Sequence, residues 1–283
     1  MSSALRVFHG DFGRVALLDM NKPLVTHAHS ECHVLIKVSG EDTFFHVRDR
    51  KVALTDTTAV LVNAWEPHYY DYQPGAGNTQ ILALYIEPQW LATAQQSLLL
   101  SGHPDFFSHP CIDLNRRNRT LADHLIAEMC GFGLAQEDKV EFHLLDLLIS
   151  LIEDFSELKH LSRLGVSLPR EGFDARIRRA NQYMLERLDD PDVIVKAATA
   201  CGLSRAHFFA LYKKQVGMTP SVYLNTERMN KALHWLAHKR SGTLGVLSEE
   251  LGFSEQCHFT RFFQRHIGAP PSQYQRVLDV NRG

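Results

Sequence analysis

The first third of the chain alternates apolar and polar positions in short runs. CHVLIKV at 32–38 is followed by Ser39-Gly40, then TFFHVR at 43–48, and TAVLVN occupies 58–63. Alternation of period two, broken by turn residues, predicts short antiparallel strands with one face buried. Residues 5–87 therefore read as a compact β sandwich or barrel, with a loop at Pro74, Gly75 and Gly77. From about Pro88 the period lengthens. Val140, Leu144, Leu147 and Leu151, widened by Leu148 and Ile152, form one stripe of an amphipathic helix over 139–155. The stripe packs on its own β domain, or also pairs with a second copy of the chain. The pattern lapses over 156–171, which ends near Pro169 and predicts a linker. From Phe173 onward the chain reads as helices. Arg176, Arg178 and Arg179 lie on the first, Pro191 and Asp192 open the second, and Pro220, Pro270 and Pro271 stand near helix starts.

Charge divides the chain at the same place. Residues 170–283 hold 17 Lys and Arg against 11 Asp and Glu, an excess of +6, whereas the residues before them carry −8, giving the net −2. An acidic front joined to a basic back suggests two tasks, with a polyanion at the back. The five cysteines, Cys32, Cys111, Cys130, Cys201 and Cys257, are scattered and odd in number. That argues against a disulfide framework and for a reducing compartment. The opening MSSALRVFHGDFGRV lacks a signal-peptide pattern. The most apolar run, LLDLLISLI at 144–152, is too short to span a bilayer. The expectation is a cytoplasmic protein with no membrane association.

The basic half contains a duplication. ACGLS at 200–204 aligns with ELGFS at 250–254. After one inserted residue, Phe208, Tyr212, Lys214, Val216, Gly217, Pro220, Ser221 and Tyr223 align with Phe259, Phe263, Arg265, Ile267, Gly268, Pro271, Ser272 and Tyr274. Each unit predicts a short helix ending at Gly202 or Gly252, where a left-handed residue turns the chain. Ser204 or Ser254 then caps a second helix, whose anchors repeat at i, i+3, i+4. That is the helix-turn-helix plan, with the second helix available to a major groove.

GFSEQCHFTRFFQRHIGAPPSQYQR at 252–276 and CGLSRAHFFALYKKQVGMTPSVYL at 201–224 resemble the signature of AraC-type transcription regulators over about 173–277. The resemblance implies seven helices, a long one at about 221–238 separating two recognition helices that enter successive major grooves. Arg261 falls on that family's arginine position. The faces opposite the anchors are the base-reading candidates. In the second unit they are Glu255, Gln256, Cys257, Thr260 and Arg261, in which Gln suits adenine, Arg guanine and Glu the cytosine amine. In the first they are Arg205, Ala206 and Phe209, beside Ala210, where the family often has a polar residue and an arginine. Lys213, Lys214, Gln264 and Arg265 are candidate phosphate contacts.

In the front domain, His27-x-His29, His33, Gly40 and the later Glu66-Pro67-His68 resemble the cupin pattern, with His33 where glutamate is usual. On one strand, residues 27, 29, 31 and 33 would share a face. His27, His29, His33 and His68 could bind a divalent metal through imidazole nitrogens or line an effector pocket with Trp65 and Tyr70, near Phe44, Phe45, Tyr69 and Tyr72. The reading is an α+β protein of two domains. Residues 1–165 form a cupin-like β-barrel or jelly roll with following helices, for ligand binding and dimerisation. Residues 170–283 form an all-α DNA-binding domain with helix-turn-helix units at about 193–216 and 244–267. The expected function is sequence-specific transcription regulation, toward activation, in response to a small-molecule effector and without enzymatic activity. The expected partners are double-stranded promoter DNA, a second copy of the chain joined through the front domain and helix 139–155, and RNA polymerase. No cofactor is required unless the histidines hold a metal. The alternative is a metal-dependent cupin enzyme with an appended helical domain.

Overall fold

The computed structural model describes residues 3–131, 137–158, 175–216, 218–238 and 242–281. Eight strands come first: β1 Ser3–Gly10, β2 Gly13–Met20, β3 Cys32–Gly40, β4 Thr43–Val47, β5 Arg50–Leu54, β6 Thr58–Val62, β7 His68–Asp71 and β8 Thr79–Ile86. Helix α1 (Pro88–Ala94) and a 3₁₀ segment (Gln96–Gly102) lead to β9 (Cys111–Asp113). Helices α2 (Arg116–Cys130) and α3 (Glu137–Phe155) follow. The strands form a six-stranded sheet ordered β1-β2-β8-β3-β6-β9 and a three-stranded sheet ordered β5-β4-β7, and their ladders are antiparallel. Strand β9 was not legible beforehand, because three residues are too few to show a period.

Alternation assigns the two faces of the large sheet. Ala16, Leu18, Leu35, Val60, Val62 and Ala83 face inward with Phe45, Val47, Leu54 and Tyr70 of the small sheet. Val15, Leu17, Val34, Ile36, Leu61 and Leu84 face outward and are covered by Leu125 and Met129 of α2 and by α3. All six stripe residues of α3, from Val140 to Ile152, are buried in that cluster. The stripe is therefore consumed within the chain, at roughly 1.5–3 kcal/mol for each large side chain removed from water. Any contact of α3 with a second copy has to use its other face.

The helical half contains α4 (Ala175–Leu185), α5 (Val193–Ala200), α6 (Arg205–Val216), α7 (Pro220–Ala237), α8 (Leu244–Glu250), α9 (Gln256–Ile267) and α10 (Pro271–Asn281). These are seven helices among the described residues, with α7 as the long one. The boundary expected between 165 and 170 lies outside the described residues, as do most of the predicted linker and Gly217. Two apolar clusters divide the helices. One holds Phe208 and Tyr212 with Ile177, Met184 and Val193. The other holds Phe259, Phe263 and Tyr274 with Trp235 and Leu247, and it runs on into the inner core of the β domain.

The glycine turns form as predicted, with Gly202 at φ +67° and Gly252 at φ +75°. The caps differ. Ser204 Oγ accepts from the His207 N–H at 3.3 Å, whereas α9 begins after Glu255, and Ser254 Oγ lies 3.1 Å from His258 Nδ1 instead. The residue inserted in the second unit moves the helix start one position past the serine.

The helical half is seated on the β domain. The buried Tyr274 hydroxyl lies 2.8 Å from His9 Nε2 and accepts from Arg14 Nη1 at 3.4 Å. Thr226 Oγ1 donates to the Ala28 carbonyl at 2.6 Å. The Val25 N–H donates at 3.1 Å to the Arg265 carbonyl, one of the carbonyls that the end of α9 leaves without a helical partner. Trp65, at φ +60°, stacks on Tyr223 with ring centroids 5.6 Å apart.

Candidate nucleic-acid interface and effector site

Each recognition helix buries one face and exposes the other. On α6, Phe208 and Tyr212 are buried, while Arg205, Ala206, Lys213 and Lys214 are exposed. Phe209 is partly buried against the first unit's core, and the Arg205 guanidinium lies 5.6 Å from its ring centroid. On α9, Phe259, Phe263 and Ile267 are buried and Glu255, Gln256, Cys257, Arg261 and Arg265 are exposed, with Thr260 and Gln264 half-exposed beside them. Gln256, Cys257, Thr260 and Arg261 line one shallow surface. A chain of contacts runs along it: Arg261 Nη2 lies 3.8 Å from Cys257 Sγ, which lies 3.1 Å from Glu255 Oε2. The structure thus brings the second unit's candidates together on one face. Arg265 and Gln264 lie at the edge of that face, against Lys22 and Pro23 of the β domain.

The four histidines converge in the β domain, though not through strand alternation. Strand β3 begins only at Cys32, so residues 27–31 are not part of it. His27 instead pairs with His68 of β7 through reciprocal backbone bonds of 3.0 and 2.9 Å. The side chains of His29, His33 and His68 are packed in the interior. His29 Nε2 and His68 Nε2 each lie 3.3 Å from His33 Nδ1, and the His27 and His68 ring centroids are 4.3 Å apart. Burial holds all four well below the usual histidine range, His68 at about 3, and neighbouring imidazoles add to the effect. They are neutral at neutral pH. Glu66 anchors the segment before His68: its carboxylate accepts from the Asn63 N–H at 2.8 Å and pairs with Arg48.

Space around the histidines is small. The cavity that His27 and His29 share with Thr226, Met229 and His266 holds about 30 Å³, room for one water or ion. Tyr70 is packed between the sheets with Phe45 and Tyr72, and Trp65 sits at the seam with the helical half, so neither lines this space. Tyr69 stacks on His46.

A larger cleft of about 720 Å³ lies beside it. One wall is the turn from His9 to Arg14 with Glu31 and Glu87, and the other is α7 from Asn230 to His238, including Trp235. Arg14, 7% exposed, stacks 3.5 Å over the Tyr85 ring. Burial, followed by the charge of Glu31, raises Glu87 to about 7. Sequence reasoning missed Arg14, Glu87, Thr226, Trp235 and His266 as site residues. They matter only because elements more than about 140 residues apart meet, and no local spacing records that.

Comparison with known proteins gives both halves a family. The model described as "AraC-like ligand binding domain" matches residues 24–152, and that described as "Helix-turn-helix domain" matches residues 197–277. The "Probable transcriptional regulator LumQ" of Photobacterium leiognathi is 24% identical over 93% of this chain and 95% of its own length. The arabinose operon regulatory protein of Escherichia coli K12 is 28% identical over 47% of each chain. Apo ToxT K231A of Vibrio cholerae strain SCE256 has the same two-domain fold, with a TM-score of 0.57 at 10% identity over 95% of this chain and 98% of that one. The fatty-acid-bound form of wild-type ToxT from the same strain matches with a TM-score of 0.55 at 12% identity, over 93% and 94% of the two chains.

Proposed function

The chain belongs to the AraC-type transcription regulators, an AraC-like ligand-binding domain joined to a helix-turn-helix domain, and from that premise we propose how it reads DNA and where its effector acts. The observation that carries the reading is the contrast between two docked units. Both expose a recognition face, yet only α9 presents Gln256, Thr260 and Arg261 together. Helix α9 reads base edges, with Arg261 forked onto guanine. Helix α6 supplies grip, with Lys213 and Lys214 on phosphates and Ala206 and Phe209 against thymine methyl groups.

The effector enters the cleft between His9–Arg14 and α7. Both domains contribute walls, so a ligand there has a different affinity for docked and undocked arrangements, which is the requirement for shifting them. The chain acts in the cytoplasm as a regulator rather than an enzyme, activates through RNA polymerase, and pairs with a second copy through the outer face of α2 and α3. That face carries Phe142, 61% exposed, with Leu145 and Ile149 half-buried beside it.

The test begins with duplexes selected by the intact protein from a randomised pool. Arg261→Ala is expected to weaken binding by about 1–3 kcal/mol and relax preference at one base pair. Lys213→Ala is expected to weaken all sequences alike and reduce the salt slope by about one. Unchanged affinity and preference in Arg261→Ala would remove it from the base-reading face.

A further inference from the structure

Resting on the assignment of α9 as the base-reading helix, we infer that Lys22 of the β domain joins Arg261 and Arg265 in a notch that holds one phosphate of the DNA backbone, so that both domains grip the duplex. The notch holds about 200 Å³ and is lined by Lys22, Pro23, Arg261, Gln264, Arg265 and Gly268. Three of these residues are cationic and none is acidic. All three cations are exposed, and among the described residues none of them meets a carboxylate. The exposed Lys51 and Lys196, by contrast, lie 2.9 and 2.7 Å from Asp71 and Asp190.

The notch is where the exposed stripe of α9 ends. Gln256, Cys257, Thr260 and Arg261 share one shallow surface. Gln264, Arg265 and Gly268 continue it at helical spacing, and Arg261 belongs to both surfaces. Gly268, at φ +86°, closes the helix and lines the notch with backbone alone. The segment between β2 and β3 forms the other wall. Pro23 restricts the backbone of Lys22, and the Val25 N–H donates to the Arg265 carbonyl at 3.1 Å. Val25 and Thr26 carry the same segment on beside Arg261 and Arg265. Lys22 is thus set against α9 by the main chain and not by its own side chain.

Charge and position select the occupant. Three like charges around one notch repel one another, and a single anion relieves them together. The volume is that of about six or seven liquid waters, room for a phosphodiester group that keeps part of its hydration. Gln264 to Gly268 lie roughly 5–10 Å beyond Arg261 along the helix axis at about 1.5 Å per residue. The major groove is about 12 Å wide. A helix whose first turns lie over base edges therefore brings its last turn to the phosphates that border the groove.

The notch has walls from both domains, and that gives it a consequence. A phosphate there is held by all three cations only when the halves are docked, so DNA itself favours the docked arrangement. Lys22 is then a DNA contact that lies outside both helix-turn-helix units.

The experiment measures the affinity of the intact chain for its selected duplexes over a range of salt. Lys22→Ala is expected to weaken every sequence alike and to lower the salt slope by about one, so that its deficit shrinks about 3.5-fold between about 50 and 200 mM salt. Lys22→Arg is expected to keep the wild-type affinity and slope. Lys139→Ala removes the same charge from the exposed start of α3 and is expected to bind as wild type. Unchanged affinity and slope in Lys22→Ala overturn the notch. An equal loss in Lys139→Ala does the same, because net charge and not position would then account for the effect. A loss confined to one base pair overturns the phosphate assignment. Inorganic phosphate titrated into the DNA-free chain is expected to show no saturable binding. Saturable binding that Lys22→Ala abolishes, at unchanged duplex affinity, makes the occupant a small anion and overturns the contact with DNA. Arg261→Ala keeps the two readings apart. Relaxed base preference there, beside an unchanged slope in Lys22→Ala, sinks the notch and leaves α9 as the reader. Unchanged preference there, beside a lowered slope in Lys22→Ala, keeps the notch and sinks the base-reading role of Arg261.

Discussion

Tyr274→Phe isolates the docking of the two domains, because it removes one oxygen and preserves the ring. The ring is fully buried and meets Phe263 edge-on with centroids 5.5 Å apart, so packing in the second unit survives the change. The hydroxyl joins α10 to the β1–β2 turn, lying 2.8 Å from His9 Nε2 and 3.4 Å from Arg14 Nη1. The short contact accounts for about 1 kcal/mol, and the Arg14 contact, near the outer limit of hydrogen bonding, for less. Leaving the buried guanidinium short of an acceptor adds part of a desolvation penalty of about 1–3 kcal/mol. The expected loss is therefore about 1.5–3 kcal/mol, or roughly 10- to 150-fold in the docking equilibrium. Urea unfolding of the intact chain followed by far-ultraviolet dichroism measures it, with Tyr274→Leu as a larger, packing-disrupting reference. A loss under about 0.5 kcal/mol in Tyr274→Phe would show that the hydroxyl is equally well served by water, and that the docked arrangement does not depend on this bond.

The two glycine turns should differ in tolerance. A Cβ at Gly252 would stand 2.6 Å from the Asp189 carbonyl oxygen and 2.8 Å from Arg228 Nη2, whereas one at Gly202 meets nothing within 4 Å. Gly202→Ala should cost only the left-handed penalty of about 1–2 kcal/mol and Gly252→Ala clearly more, read by urea unfolding of both; equal losses would refute the close approach. Glu87 has its folded-state pKa raised to about 7 by burial and then by Glu31, above the unfolded value, so the folded state holds its proton more tightly and stability falls as pH rises from about 4.5 to 7. Glu87→Gln should therefore gain stability relative to wild type at pH 8 compared with pH 5, and a pH-independent difference would contradict the shift. Phe142→Glu should weaken self-association in sedimentation at an unchanged unfolding midpoint, since the residue is exposed and the buried stripe is untouched; unchanged association would move the dimer contact elsewhere.

Repeats and alternations were legible in the amino-acid order alone. Period two along CHVLIKV and TAVLVN marked β3 and β6, and the stripe from Val140 to Ile152 marked α3. The offset of about fifty residues placed Gly202 beside Gly252 and Phe208 beside Phe259, which was enough to find both recognition helices and their outward faces. These signals are local: a helix or strand face is set by neighbours within a few residues. Where the partner was distant, the sequence left the alternatives open or misread them. It could not say that the α3 stripe would be used up on the outer face of the large sheet. It put His27, His29 and His33 on one strand, although His27 reaches the cluster by pairing with His68. It grouped Tyr70 and Trp65 with the histidines, whereas Tyr70 packs beside Phe45 and Tyr72 and Trp65 stacks on Tyr223. Residue type tells what chemistry a side chain can do, whereas contacts across about 200 or more residues decide which side chains share a space, and only the folded chain brings Arg14 to Tyr274 or Ala28 to Thr226.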